Sequence, residues 1–166
     1  MHSPALDRHT FAVMSISRLL STYVDLHDLG IVRMEKALVE LTRNSYEPGL
    51  CFRGNAKAAH IKPDQLYYPA PDLVVEMLLK STKKYDRETK FVDYAAHGVA
   101  EYWLVDPVKQ RVEQFTIDVG TDDHEAVGTY SLKQTLTGRA VAGFAIPVRA
   151  TFDTGANMAA LQELLT

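Results

Sequence analysis

The sequence contains only one cysteine, Cys51, among its 166 residues. No disulfide can therefore form within the chain, which excludes the stapled scaffold of small secreted proteins and favours a reducing, cytoplasmic location. Long apolar runs are also missing, because no segment reaches the roughly 18 to 20 residues that cross a bilayer. We expect no membrane association, and the N-terminus lacks the basic-then-apolar pattern of a signal peptide.

An excess of positive charge is missing as well. The chain has 18 lysines and arginines against 21 aspartates and glutamates, a formal net charge of −3 and a pI of about 6.0. The molecule as a whole does not attract nucleic acid, so any such binding has to rely on a local basic patch. A glycine-rich phosphate loop is absent too, which argues against a doubly wound nucleotide-binding fold.

The hydrophobic content of 46% is enough for one domain to bury a core, and we expect a single domain over residues 1–166. Apolar residues recur at spacings of three and four over residues 9–28, which predicts an amphipathic helix ending near Gly30. Residues 31–42 mix β-branched and charged side chains and predict an edge strand. A turn over residues 44–48 and a short strand over residues 50–52 should follow.

The strongest strand signal is the apolar run over residues 73–79, which suits a central strand covered on both faces. Asp86 is the expected N-cap of a helix that ends near Gly98. Residues 102–105 and 111–117 should form a hairpin, and residues 154–165 a closing helix with Met158, Leu161 and Leu165 inward. This order predicts an α/β fold with a mixed central sheet flanked by helices.

Glu76 interrupts the apolar central strand. A buried carboxylate needs a partner, which can be a metal ion, a lysine or a hydrogen-bond network. Lys90, in the first turn of the next helix, could reach it, and a purely structural ion pair is the simplest alternative. Asp72 lies on the same strand face, but its Cα should be roughly 13 Å away, so the two carboxylates cannot share one ion. Asp72 is better explained as an anchor at the strand entry.

A local basic patch follows the central strand in this acidic chain. Its cations are Lys80, Lys83, Lys84 and Arg87. They are candidates for holding nucleic-acid phosphates, and the alternative is a solvated loop and helix start, which is the usual explanation of a charge run.

These residues resemble a known family when they are read together. The pattern consists of Pro71-Asp72-Leu73-Val74-Val75-Glu76, Ser81-Thr82, Asp86, Lys90, Tyr94, Gly98-Val99 and Glu101-Tyr102-Trp103-Leu104-Val105-Asp106-Pro107. It resembles the signature of restriction-endonuclease-like proteins of unknown function within the PD-(D/E)XK nuclease superfamily. Weaker likeness extends over almost all of the chain.

The resemblance implies a metal-dependent phosphodiesterase, a DNA endonuclease that uses Mg²⁺ or Mn²⁺. Glu76 would be a metal ligand and a catalytic residue, and Lys90 the catalytic lysine, since the usual lysine position falls at Leu78. Asp72 is a second candidate metal ligand. A homodimer is expected because two-fold symmetry is the commonest oligomeric state and suits cleavage of two strands.

Two departures from the family pattern favour a second hypothesis. The family's first metal-binding aspartate follows a proline, and here Gly49 follows Pro48, with Glu47 and Asp64 as distant substitutes. The family's first strand would also precede Met1. The alternative is therefore a catalytically inactive nuclease-fold protein that serves nucleic-acid binding or oligomeric assembly.

Overall fold

A six-stranded mixed sheet forms the centre of the computed structural model, which describes residues 6–117 and 121–166. Its strands occur in the order β1-β4-β6-β7-β8-β9, and only β6 and β7 among these neighbours are parallel. Their bounds are β1 Gly30–Met34, β4 Leu50–Gly54, β6 Leu73–Met77, β7 Glu101–Asp106, β8 Arg111–Ile117 and β9 His124–Ser131. The predicted fold class, a mixed central sheet flanked by helices, is confirmed.

Helices cover both faces of this sheet. On one face, α1 (Asp7–Leu26) and α5 (Thr154–Leu164) pack in a core that includes Leu73, Val75 and Met77 of β6. On the other face, α4 (Thr89–Ala96) packs through Tyr94 against Val74. Because side chains alternate along a strand, Glu76 points to the α4 face together with Val74.

Smaller elements surround the central sheet. A three-stranded sheet has the order β3-β2-β5, and β10 pairs with β11. The bounds are β2 Leu38–Glu40, β3 Ser45–Tyr46, β5 Tyr67–Tyr68, β10 Thr135–Thr137, β11 Ala145–Pro147, α2 Asn55–Ala58, α3 Lys83–Arg87 and a 3₁₀ helix Val148–Thr151.

The predicted edge strand over residues 31–42 was wrong. The chain reverses at Lys36, which has a positive φ of 68°, and β1 and β2 then lie in different sheets. The predicted turn over residues 44–48 contains β3. Gly30 begins β1 instead of ending the helix, and a Cβ there would lie 2.0 Å from the carbonyl oxygen of Arg53. Its glycine is therefore required by backbone contact between neighbouring strands.

Two helix predictions also need correction. Asp86 is not an N-cap, because it lies inside α3 and is 1% exposed. Of the three residues predicted inward in the closing helix, Leu161 packs partly buried against the core, but Met158 and the C-cap Leu165 are exposed, at 43% and 60%. Asn157 is fully buried instead. The Asn157 amide donates to the carbonyl oxygens of Ser15 and Ala150, so a polar contact sets the inward face of this helix.

Candidate active site

Glu76 meets Lys90 across the packing of β6 against α4. Glu76 is 5% exposed, and the Lys90 Nζ donates to its Oε1 at 2.9 Å. The hydroxyl of Tyr94 donates to the same oxygen at 3.2 Å. Lys90 and Tyr94 are four residues apart, which places both side chains on one face of α4. The predicted proximity of Glu76 and Lys90 is confirmed.

Asp86 is the second carboxylate on Lys90. The Lys90 Nζ lies 2.9 Å from Asp86 Oδ1, and the Thr82 hydroxyl donates to Asp86 Oδ2 at 2.7 Å. The Glu76 and Asp86 oxygens that face Lys90 can thus be no more than twice 2.9 Å apart. We call Glu76, Asp86 and Lys90 the charged triad.

Burial and mutual charge shift the protonation of the triad. Burial raises the pKa of Glu76, the charge of Asp86 raises it further, and the Lys90 ammonium only partly opposes this. Burial by itself would lower the pKa of Lys90, but the two carboxylates outweigh it and the pKa rises. Lys90 is therefore charged at neutral pH, and Glu76 holds a proton more readily than an exposed glutamate.

The triad opens into a cleft of about 610 Å³ between α1, the start of β4 and the β6–α3 segment. Gly49 also lines this cleft. Since Leu50 pairs with Val75 in antiparallel register, one further step places Gly49 opposite Glu76. A Cβ on Gly49 would lie 3.3 Å from the Val75 carbonyl oxygen, so a side chain fits only tightly there.

Asp72 is not brought to this cleft. Its Oδ2 accepts a hydrogen bond from the Gly54 backbone N–H at 2.7 Å, and its Oδ1 pairs with the Lys57 ammonium at 2.7 Å. The two carboxylate oxygens therefore tie the entry of β6 to the end of β4 and to α2, as the anchor hypothesis expected. Asp72 does not line the cleft that holds Glu76, so the two side chains are not placed to share a metal ion.

The predicted basic patch divides into engaged and free cations. Arg87 donates through both terminal nitrogens to Glu113 at 2.7 Å each, and this contact lowers the pKa of Glu113. Lys84 is exposed and lies 4.0 Å from Glu88. Lys80 and Lys83 are exposed and form no ion pair with another residue of the described ranges.

The residues present do not make a complete metal site. Within residues 6–117 and 121–166, no group of three or more His, Cys, Asp or Glu side chains is placed to hold a metal ion. Lys90 lies between the two buried carboxylates, and Gly49 supplies no ligand beside them. Of the suggested substitutes, Glu47 lines the cleft but is exposed, and Asp64 is not among the lining residues.

Two residues of the cleft were missed as functional candidates. Asp86, predicted as a helix cap, instead forms an ion pair with Lys90 four residues later, although Asp86 lies in α3 and Lys90 in α4. His9 lines the cleft from α1, is 5% exposed, and has Nε2 3.2 Å from the Leu78 carbonyl oxygen. Nothing in the sequence distinguishes His9 from a core histidine.

A mixed sheet flanked by helices brings a buried glutamate, a helical lysine and Gly49 to one cleft, and this architecture belongs to the nuclease-like fold class. The family model of Uma2, described as "Putative restriction endonuclease", matches residues 1–149, and the chain belongs to this family. The crystal structure of a protein described as "a putative nuclease belonging to DUF820", from Anabaena variabilis, is similar at a TM-score of 0.74 and 13% identity. That match covers 97% of this chain and 86% of the other.

The comparison with curated proteins gives no match. In the described part of the chain, no helix is long and apolar enough to cross a membrane. Cys51 is buried as a free thiol.

Proposed function

We propose that this protein is a restriction-endonuclease-like phosphodiesterase that acts on DNA and whose Mg²⁺- or Mn²⁺-dependent hydrolysis is impaired at Gly49. The observation that carries the proposal is the shared cleft. Gly49, Glu76, Asp86 and Lys90 all line it, so the position that lacks a carboxylate faces the charged triad.

Lys90 is the triad's means of binding a phosphate. Its ammonium is held at 2.9 Å from each carboxylate, which fixes the charge at the cleft wall before a ligand arrives. Two ionised carboxylates against one ammonium would repel a phosphodiester. The raised pKa of Glu76 lessens this repulsion, because protonation leaves one carboxylate and one ammonium.

A bound divalent ion would supply charge neutralisation at the phosphate and a more acidic water. The ligand set present does not fit such an ion fully, because hard cations depend on the number and charge of oxygen ligands. We therefore assign impaired activity to the missing carboxylate and predict that an aspartate at position 49 restores metal binding.

The exposed lysines beside the cleft are the proposed contacts for the DNA backbone. Among the residues that the structure describes, Lys80 and Lys83 have no ion-pair partner and Lys84 has only a distant one, so these three can exchange counterions for phosphates. Arg87 belongs to the predicted patch, but its bidentate pair with Glu113 makes it the weakest contributor.

The test compares the unchanged chain with Gly49→Asp, Gly49→Ala and Gly49→Asp/Glu76→Gln. Calorimetric titration with Mn²⁺ and Mg²⁺ measures binding, and nicking of supercoiled plasmid measures hydrolysis. We expect weak binding and slow nicking in the unchanged chain, with both increased by Gly49→Asp. Gly49→Ala controls for the tight contact with the Val75 carbonyl, and adding Glu76→Gln should remove the gain.

Full metal binding and rapid nicking by the unchanged chain, with no increase in the Gly49→Asp variant, would contradict the proposed impairment.

An inactive nucleic-acid-binding protein is the second candidate function, favoured by Lys90 lying between both carboxylates. It predicts DNA binding with no nicking in any variant. We also propose that the chain forms a homodimer, which sedimentation velocity tests separately.

A further inference from the structure

We infer that the protein acts on DNA with an unpaired strand, and that Tyr85 stacks a base of that strand beside the charged triad. The inference rests on the proposed function and deepens it, because it names the form of DNA that the same cleft takes. Tyr85 lies in α3, between the exposed Lys84 and the buried Asp86. It therefore stands where the basic patch meets the triad.

Tyr85 is 44% exposed although its ring has two close neighbours. The Lys90 Nζ lies over the ring, 5.9 Å from its centroid, and the centroid of the Tyr46 ring is 6.1 Å away in an edge-to-face arrangement. These contacts leave a large part of the residue open to water. A single exposed aromatic residue is common on protein surfaces, so its surroundings decide what it can do.

The lysines next to Tyr85 give the first reason to assign it a base. Lys83 and Lys84 directly precede it and are exposed. Proteins that bind single strands combine cations that follow the backbone with aromatic rings on which bases stack. Tyr102 and Trp103 cannot act in this way, because both are fully buried in β7.

The fixed position of the ring gives the second reason. Tyr46 is 4% exposed, and its hydroxyl donates to Asp93 Oδ2, which also accepts from the Asn44 amide at 2.6 Å. Tyr46 thus forms a firm wall against which Tyr85 packs. An aromatic ring held in place before binding loses less conformational freedom when a base stacks on it.

The distance to Lys90 links the ring to the triad. Tyr85 stands at the rim, since Asp86 and Lys90 line the cleft and Tyr85 does not. With 5.9 Å between the ammonium and the ring centroid, a phosphate at Lys90 and a base at Tyr85 can belong to the same or adjoining nucleotides. Bases of an intact duplex are already paired and stacked, so presenting one to Tyr85 costs free energy that an unpaired strand does not spend.

Tryptophan fluorescence tests the stacking directly. Trp103 is the chain's single tryptophan and is fully buried, so a tryptophan introduced by Tyr85→Trp reports on its own surroundings. A single-stranded oligonucleotide, added with EDTA present, should quench this emission. Tyr67→Trp is the matched control and should not be quenched, because Tyr67 is 52% exposed and lies on β5, at the opposite edge of the small sheet from Tyr46.

Fluorescence anisotropy with a labelled single strand and with its duplex measures the preference. Tyr85→Leu should weaken single-strand binding about fivefold or more, while Tyr85→Phe keeps the ring and should restore it. Duplex binding should change less than about twofold in both variants, and Tyr67→Leu should change neither. The slope of log K against log salt should stay the same in Tyr85→Leu, since no charge is removed.

The outcomes separate this inference from the proposed function. Quenching of Tyr85→Trp, in a protein whose Gly49→Asp variant nicks no DNA, would support the stacking site and refute the proposed hydrolysis. Nicking by Gly49→Asp, with single-strand binding no more affected by Tyr85→Leu than by Tyr67→Leu, would overturn the stacking site and leave the proposed function intact. A chain that binds neither form of DNA would overturn both.

Discussion

Replacing Lys90 by methionine should destabilise the fold strongly. The side chains of Lys90, Glu76 and Asp86 are only 13%, 7% and 2% exposed, so removing the ammonium leaves two buried carboxylates without their cation. Breaking a buried ion pair in this way costs about 3–5 kcal/mol. We expect a loss of that size near neutral pH, measured as the free energy of unfolding in urea.

The loss should shrink as the pH is lowered. In the folded protein the pKa of Glu76 lies above its unfolded value, so the folded state binds a proton where the unfolded chain has released it. Stability therefore falls as the pH rises through that window. Without Lys90 the main opposition to the upward shift is lost and the Tyr94 hydrogen bond remains, so the variant should lose less stability at about pH 5 than at about pH 8.

The matched control for this experiment is Lys84→Met, since that side chain is 84% exposed and the change should stay within about 0.5 kcal/mol. A Lys90→Met chain that loses less than about 1 kcal/mol at both pH values would refute the reasoning. It would mean that water reaches the triad and screens the two carboxylates.

Three further changes test the supports of the cleft and the sheet. Arg87→Gln should cost about 1–3 kcal/mol in urea unfolding near neutral pH, and the cost should disappear as acid protonates Glu113, whose lowered pKa marks stability lost at low pH. Asn157→Ala removes two backbone contacts of a fully buried amide and should lower the thermal midpoint, with a loss of about 2–4 kcal/mol. Gly30→Ala should cost more than Gly98→Ala, because only the first meets backbone at 2.0 Å, although both have positive φ; equal losses would contradict this.

The sheet was the part of the fold most open to sequence reasoning. The apolar run of β6 and the alternation in β8 carry strong local signals, and both strands lie where they were expected. The segment 31–42 failed because its β-branched residues are compatible with either one strand or two, and the reversal at Lys36 depends on tertiary pairing.

The candidate site was only half predictable. Glu76 can be recognised in the sequence because it is a carboxylate within an apolar strand. Lys90 follows 14 residues later, and a helix over that segment can place it back against the strand. Asp86 gave only its four-residue spacing from Lys90 as a signal, and His9 gave none, because both are flanked in sequence by polar residues. Their importance appears only when α1, α3 and β6 come together around one cleft.

Glu76 and Asp86 already contact the Lys90 ammonium, so both carboxylates compete with any external anion for that ammonium. A phosphate that reaches this ammonium must use its remaining N–H or displace a carboxylate held at 2.9 Å, and in either case the two carboxylates offset part of the attraction. A single free phosphate gains little from such a contact. If the proposed function holds, a polyanion already held by the exposed Lys80 and Lys83 meets no second entropic cost of association at Lys90, and we expect the cleft to favour a long ligand over a single phosphate.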